Sequence, residues 1–123
     1  MKNLFLIIIL QVFGFNQLCA QNIEWMSLAQ AMEAQKNEPK KIFMDVYTVW
    51  CGPCKLLDKN TFQNPDVSRY IREHYYAVKF NAEGQEEINF FDKTYTNPNF
   101  DPNRKGRNTT HQFLSLIHIS EPT

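Results

Sequence analysis

Two cysteines separated by two residues, in Trp50-Cys51-Gly52-Pro53-Cys54-Lys55, constrain this chain more than any other stretch. The run before them, Lys41-Ile42-Phe43-Met44-Asp45-Val46-Tyr47, is apolar enough for a buried strand. Pro53 suits the first turn of a following helix, where its missing N–H is not needed and its fixed φ is already helical. A strand running directly into a helix puts Cys51 at the helix N-terminus. There the unpaired backbone N–H groups and the helix dipole favour thiolate over thiol, so the Cys51 pKa is expected below the free value of roughly 8.5. Cys54, one turn further on, is expected on the inner side of the helix, ready to resolve a mixed disulfide formed by Cys51. The chemistry this predicts is thiol–disulfide exchange.

Paired cysteines at this spacing also supply half of a structural zinc site, which needs two more ligands. The third cysteine, Cys19, falls in a segment expected to be removed, and His74, His111 and His118 show no ligand spacing to one another. A purely structural Cys51–Cys54 disulfide is the other alternative, but it closes a loop too small to constrain the unfolded chain much. The reading therefore includes no metal and no cofactor.

The first residues set the expected compartment. Lys2 is a short positive region, Leu4 to Phe15 is apolar apart from Gln11 and Gly14, and Leu18-Cys19-Ala20 precedes the polar Gln21-Asn22. This order predicts a secretory signal peptide over residues 1–20 and an exported, periplasmic or extracytoplasmic protein. The apolar stretch is short for a membrane span, which needs about 20 residues. Membrane attachment would come only through an uncleaved signal or a lipid on Cys19, although Asn16-Gln17-Leu18 lacks the small residues of a lipoprotein signal. The chain beyond residue 20 is long enough for one small domain, expected to be monomeric. With 13 Lys and Arg against 13 Asp and Glu, nothing in the charge balance points to nucleic acid.

Within that domain, Ser27-Leu28-Ala29-Gln30 has the form of a capping box and opens a helix to about Lys36, ended by Asn37-Glu38-Pro39. The strand from Lys41 to about Thr48 and a helix from Pro53 to about Lys59 follow. Asn64 caps a further helix with Pro65 at its first position, in which Val67, Tyr70, Ile71 and His74 share a face. Tyr76 to Asn81 alternates like a strand. Helix, strand, helix, strand is the order of an α/β unit with a parallel pair. Residues 82–108 are polar, with a hairpin expected from Ile88-Asn89-Phe90-Phe91 and Thr94-Tyr95-Thr96 around Asp92-Lys93. The rest of that stretch reads as a substrate-facing insertion or a mobile loop, and its Arg104-Lys105-Gly106-Arg107 cluster as solvated surface.

The stretch Trp-Cys-Gly-Pro-Cys-Lys after a hydrophobic strand resembles the thioredoxin superfamily. So do Asp45-Val46-Tyr47-Thr48 before it, then Thr61-Phe62, Asn64-Pro65-Asp66-Val67 and Ala77-Val78-Lys79-Phe80-Asn81, which are similar to exported bacterial thioredoxin-like proteins. The resemblance implies a thioredoxin-like α/β fold and a thiol:disulfide oxidoreductase. Its Gly-Pro pair is that of the reducing members. By the same resemblance, Cys51 attacks, Cys54 resolves and Asp45 accepts the proton of Cys54, while Trp50, Gly52, Pro53 and Lys55 shape the site. The implied partners are protein disulfides or dithiols and an upstream electron donor. The alternative is a thioredoxin-like binding or structural module whose disulfide does not turn over.

A thioredoxin fold also needs, towards its end, a helix, two antiparallel strands preceded by a cis-proline, and a closing helix. Thr109 to Phe113 reads as the start of that helix, and the pattern stops there. Leu114 to Thr123, Leu-Ser-Leu-Ile-His-Ile-Ser-Glu-Pro-Thr, is the in-frame translation of a transposon-end adapter used in sequencing libraries. The expectation is thus a partial thioredoxin-like domain over residues 21–113, its C-terminal half missing, and a non-native tail over 114–123. As an enzyme, the full-length protein is expected to be active and this chain weak or inactive. The alternative for the tail is an amphipathic segment with Leu114, Leu116, Ile117 and Ile119 packing against the domain.

Overall fold

A computed structural model describes residues 22–120, with side chains described as far as residue 116. The leader expected over residues 1–20 lies outside the described residues, as do the side chains of Ile117 and Ile119. The chain begins with strand β1 (Trp25–Met26) and helix α1 (Leu28–Asn37), followed by β2 (Lys41–Tyr47). The capping box forms as the sequence predicts. Ser27 Oγ accepts from the Gln30 N–H at 3.2 Å, and Gln30 Oε1 accepts from the Ser27 N–H at 2.9 Å, so two N–H groups that the helix leaves unpaired are satisfied.

Beyond β2 come α2 (Gly52–Leu57), a wide π turn (Asp58–Phe62), α3 (Pro65–His74) and β3 (Tyr75–Asn81). The helical path after the cysteines thus continues past the expected end near Lys59, closed by Phe62, which is buried. Asn64 caps α3, its Oδ1 accepting from the N–H groups of Asp66 (2.9 Å) and Val67 (3.3 Å). The inner face of α3 differs from the expected one. Ser68 and Ile71 are buried, whereas Tyr70 and His74 stack on each other at 4.3 Å on the exposed side. The Ser68 hydroxyl is accommodated because the Asn64 and Pro65 carbonyls lie within hydrogen-bond reach.

The sheet is three-stranded and parallel, in the order β1-β3-β2, with Lys41 opposite Tyr75 through Tyr47 opposite Asn81. Two residues are too few for a periodic signal, which is why β1 is invisible in the sequence. Travelling from β1 to β2 and then back to β3 with right-handed crossovers puts the connecting helices on opposite faces. Alternate residues of β3 accordingly serve two cores. Val78 and Phe80 pack with Leu28 and Ala31 of α1 on one face, and Ala77 packs with Ile23, Phe62 and Ile71 on the other.

The hairpin is present as β4 (Ile88–Phe90) and β5 (Lys93–Tyr95), with its turn one residue earlier than the sequence indicates. Phe91 and Asp92 both adopt positive φ, 48° and 57°, the pair of values that a two-residue hairpin turn demands. Ile88 and Tyr95 close over the first core together with Phe113. The remainder of the 82–108 segment is tied at its base. Asn97 Nδ2 donates to the Gly84 and Thr109 carbonyls, and the His111 N–H donates to the Ala82 carbonyl at 2.8 Å. Buried His111 donates through Nε2 to the Glu86 carbonyl and accepts the Phe113 N–H at Nδ1. These bonds hold Thr109–His111 out of any helix, so the helix expected from Thr109 appears instead as a 3-10 turn over Gln112–Ser120. Leu114 and Leu116, half-buried, pack against the first core.

Candidate active site

Parallel strands end at the same side of a sheet. Tyr47 and Asn81 are register partners, so the chain leaving β2 and the chain leaving β3 emerge side by side, joined by the Ala82 N–H donating to the Tyr47 carbonyl at 2.8 Å. The turn after β2 is closed by the Cys51 N–H on the Thr48 carbonyl, and Cys51 becomes the N-cap of α2. Cys51 and Cys54 form a disulfide, with Cα atoms 5.3 Å apart. Cys51 Sγ accepts from the Cys54 N–H at 3.2 Å, as a capping side chain does. Gly52 and Pro53 occupy the first two positions of α2 and are exposed, as is Lys55.

Asp45 lies on β2 with a side chain only 10% exposed. Its register partner is Lys79, whose Nζ sits 3.5 Å from Asp45 Oδ2 and, much closer, 2.5 and 2.6 Å from the two Asp58 oxygens. The ammonium also stands over the Trp25 ring at 4.9 Å. Burying charges is tolerable when each has an opposite partner, and one cation here serves two carboxylates. A cavity of about 310 Å³, lined by Ile23, Trp25, Asp58, Phe62 and Lys79 among others, opens beside this cluster. Lys79 and Asp58 do not emerge from sequence reasoning. Lys79 carries a signal nonetheless, as a lone charge in the apolar run of β3.

Trp50, directly before Cys51, is 44% exposed and held from two sides. Its Nε1–H donates to Glu83 Oε2 at 3.0 Å, and the same oxygen accepts the Asn108 N–H at 2.8 Å. The Arg107 guanidinium lies 4.3 Å from the indole centroid. Gly106, at a φ of 101°, permits the reversal that returns Arg107 to the indole. One member of the cluster expected to be plain solvated surface therefore packs on the residue next to the dithiol. Among the described residues no three His, Cys, Asp or Glu side chains gather as a metal site would require, and no helix is long and apolar enough to cross a membrane.

A family model described as thioredoxin-like matches residues 24–103, which takes in the whole parallel sheet, both cysteines and the β4–β5 hairpin. The chain belongs to this family, within the thioredoxin superfamily. It is 28% identical over 74 residues to spermatogenesis-associated protein 20 of Homo sapiens and to that of Mus musculus, a match covering 59% of this chain. It is 38% identical over 45 residues, 37% of its length, to the thiol:disulfide interchange protein DsbD of Klebsiella pneumoniae. The chain spans only a small part of these relatives, 9% of the first two and 7% of the third.

Proposed function

We propose that this protein is an exported thiol:disulfide oxidoreductase that reduces disulfides in client proteins. The observation that carries the reading is the N-cap position of Cys51, whose sulfur receives the Cys54 N–H. On reduction, that N–H and the helix terminus stabilise the Cys51 thiolate relative to a thiol in water. The thiolate attacks one sulfur of a client disulfide, forming a mixed disulfide and expelling the other client sulfur as a thiolate that takes a proton from water. Cys54 then gives its proton to the Asp45 carboxylate and attacks Cys51 Sγ. The second client sulfur leaves, and the protein ends as the Cys51–Cys54 disulfide. A dithiol donor upstream restores the reduced pair. Trp50, Gly52, Pro53 and Lys55 shape the surface around the two sulfurs, and no cofactor is needed. The matched protein named for thiol:disulfide interchange supports the same chemistry.

Turnover in insulin reduction, abolished by Cys51→Ser, is the expected result. A stable partner complex with no turnover, the pair remaining oxidised, would instead mark a binding module. Within the pair, Cys51 is expected to be alkylated faster than Cys54 at neutral pH, and Cys54→Ser to trap mixed disulfides that Cys51→Ser does not. Equal alkylation rates would overturn these roles. Export rests on the order of charge, apolar run and polar residues over positions 2–22. Mass spectrometry of the protein from its native cell is expected to find a chain starting at or near Gln21, and a product retaining Met1 in the cytoplasm would refute it.

A further inference from the structure

The exchange chemistry leaves the loop after β5 without a role, although that loop reaches the active-site tryptophan. Glu83 and Asn108 fasten it there, and Arg107 covers the indole. Between the loop and the end of β2 runs a groove of about 180 Å³, in which Val49, Phe100 and Pro102 are the apolar lining and Arg104 stands at the wall. Val49 is 64% exposed, two residues from Cys51. The charges of this wall are sorted. Glu83 spends its carboxylate on Trp50 and Asn108, and Asp101 spends its own on the Asn103 N–H at 2.9 Å. Arg104, Lys105 and Arg107 are exposed, and none of them forms an ion pair among the described residues. The acids' hydrogen bonds hold the loop in place without removing their charge, so this wall carries three cations against two carboxylates.

We propose that residues 100–108 form the client-binding wall of the dithiol site, and that Arg104, Lys105 and Arg107 select client disulfides flanked by acidic residues. The inference rests on the oxidoreductase reading above. Arg107 lies against the residue next to Cys51 and Arg104 shares a groove with Val49, so a client disulfide seated on Cys51 meets this wall. Charges act there over a Debye length of about 10 Å at 0.1 M salt, so opposite charge on the client speeds encounter and like charge slows it. Apolar flanking residues have the Val49–Phe100–Pro102 lining to rest on.

The test uses the reduced protein and two disulfide peptides of one sequence, with glutamates or with lysines flanking the cysteines. Stopped-flow oxidation of the Cys51/Cys54 pair is measured for each peptide and expressed relative to neutral hydroxyethyl disulfide. The acidic peptide is expected to react about tenfold faster than the basic one at low salt, with the ratio shrinking as salt rises. Combining Arg104→Glu with Lys105→Glu, which leaves the Arg107–Trp50 contact in place, is expected to reverse the preference, and Arg107→Lys to preserve it. Equal rates for the two peptides, or a preference unmoved by the charge reversal, overturn the inference alone. Failure of all three disulfides to oxidise the pair overturns the oxidoreductase reading, and the inference falls with it.

Discussion

Asp45 and Asp58 compete for one ammonium. Lys79 is nearer to Asp58 by an ångström, and Asp58 is also the more exposed of the two carboxylates, at 38% against 10%. Asp45 therefore sits in the drier position with the looser ion pair. Asp45→Asn is expected to slow resolution of the mixed disulfide by about a hundredfold while leaving the initial attack within about twofold, since positioned proton transfer contributes on that scale. Single-turnover kinetics separate the two steps, and an equal effect on both would remove Asp45 from the resolving role. Asp45 is legible in the sequence as a charge inside an apolar strand, and Lys79 breaks its own strand in the same way. What the sequence does not contain is the register that sets the two side by side. Glu83 carries no local mark, and Arg107 is marked only as part of a basic cluster, because their meeting with Trp50 depends on which strands are neighbours and where a long loop returns.

At the scale of elements, what could be read were the features fixed by adjacent residues. Both caps form on the residues that the sequence names, because a Ser or Asn side chain needs only the next three N–H groups to act. Ser27→Ala and Asn64→Ala are each expected to lower stability by about 1 kcal/mol in chemical denaturation. A loss of less than a few tenths would mean that the cap is redundant with core packing. Elements set by longer-range bonds were harder to read. β1 exists because β3 offers Ala77 and Val78 as partners, and the expected helix from Thr109 fails because Asn97 and Ala82 claim that backbone first. The hairpin turn lies one residue earlier than composition suggests, in the register that sets Ile88 opposite Tyr95 and buries both in the first core.

Over the whole molecule, the sheet is asymmetric in its protection. β3 is flanked on both sides, whereas β2 has β3 on one side and, among the described residues, no strand on the other. Its Val46 is 37% exposed. An open edge of seven residues is a template for a further strand, from this chain's own copies or from a partner. Val46→Lys is expected to reduce concentration-dependent association in sedimentation velocity, since a charged residue on an edge disfavours pairing. A wild-type protein that sediments as a monomer at every concentration would refute this and uphold the monomer expected from the sequence. The other asymmetry lies between the two ends of the sheet. Because β2 and β3 run the same way, the dithiol and the segment that returns as the Arg107 loop both leave from the strands' C-terminal ends, whereas the helices that build the two cores belong to the crossovers. Residues 98–107 contain no strand, no crossover helix and neither cysteine. On the reading proposed above, a change confined to this loop alters which clients reach the two sulfurs and leaves the geometry of the sulfurs to β2 and α2.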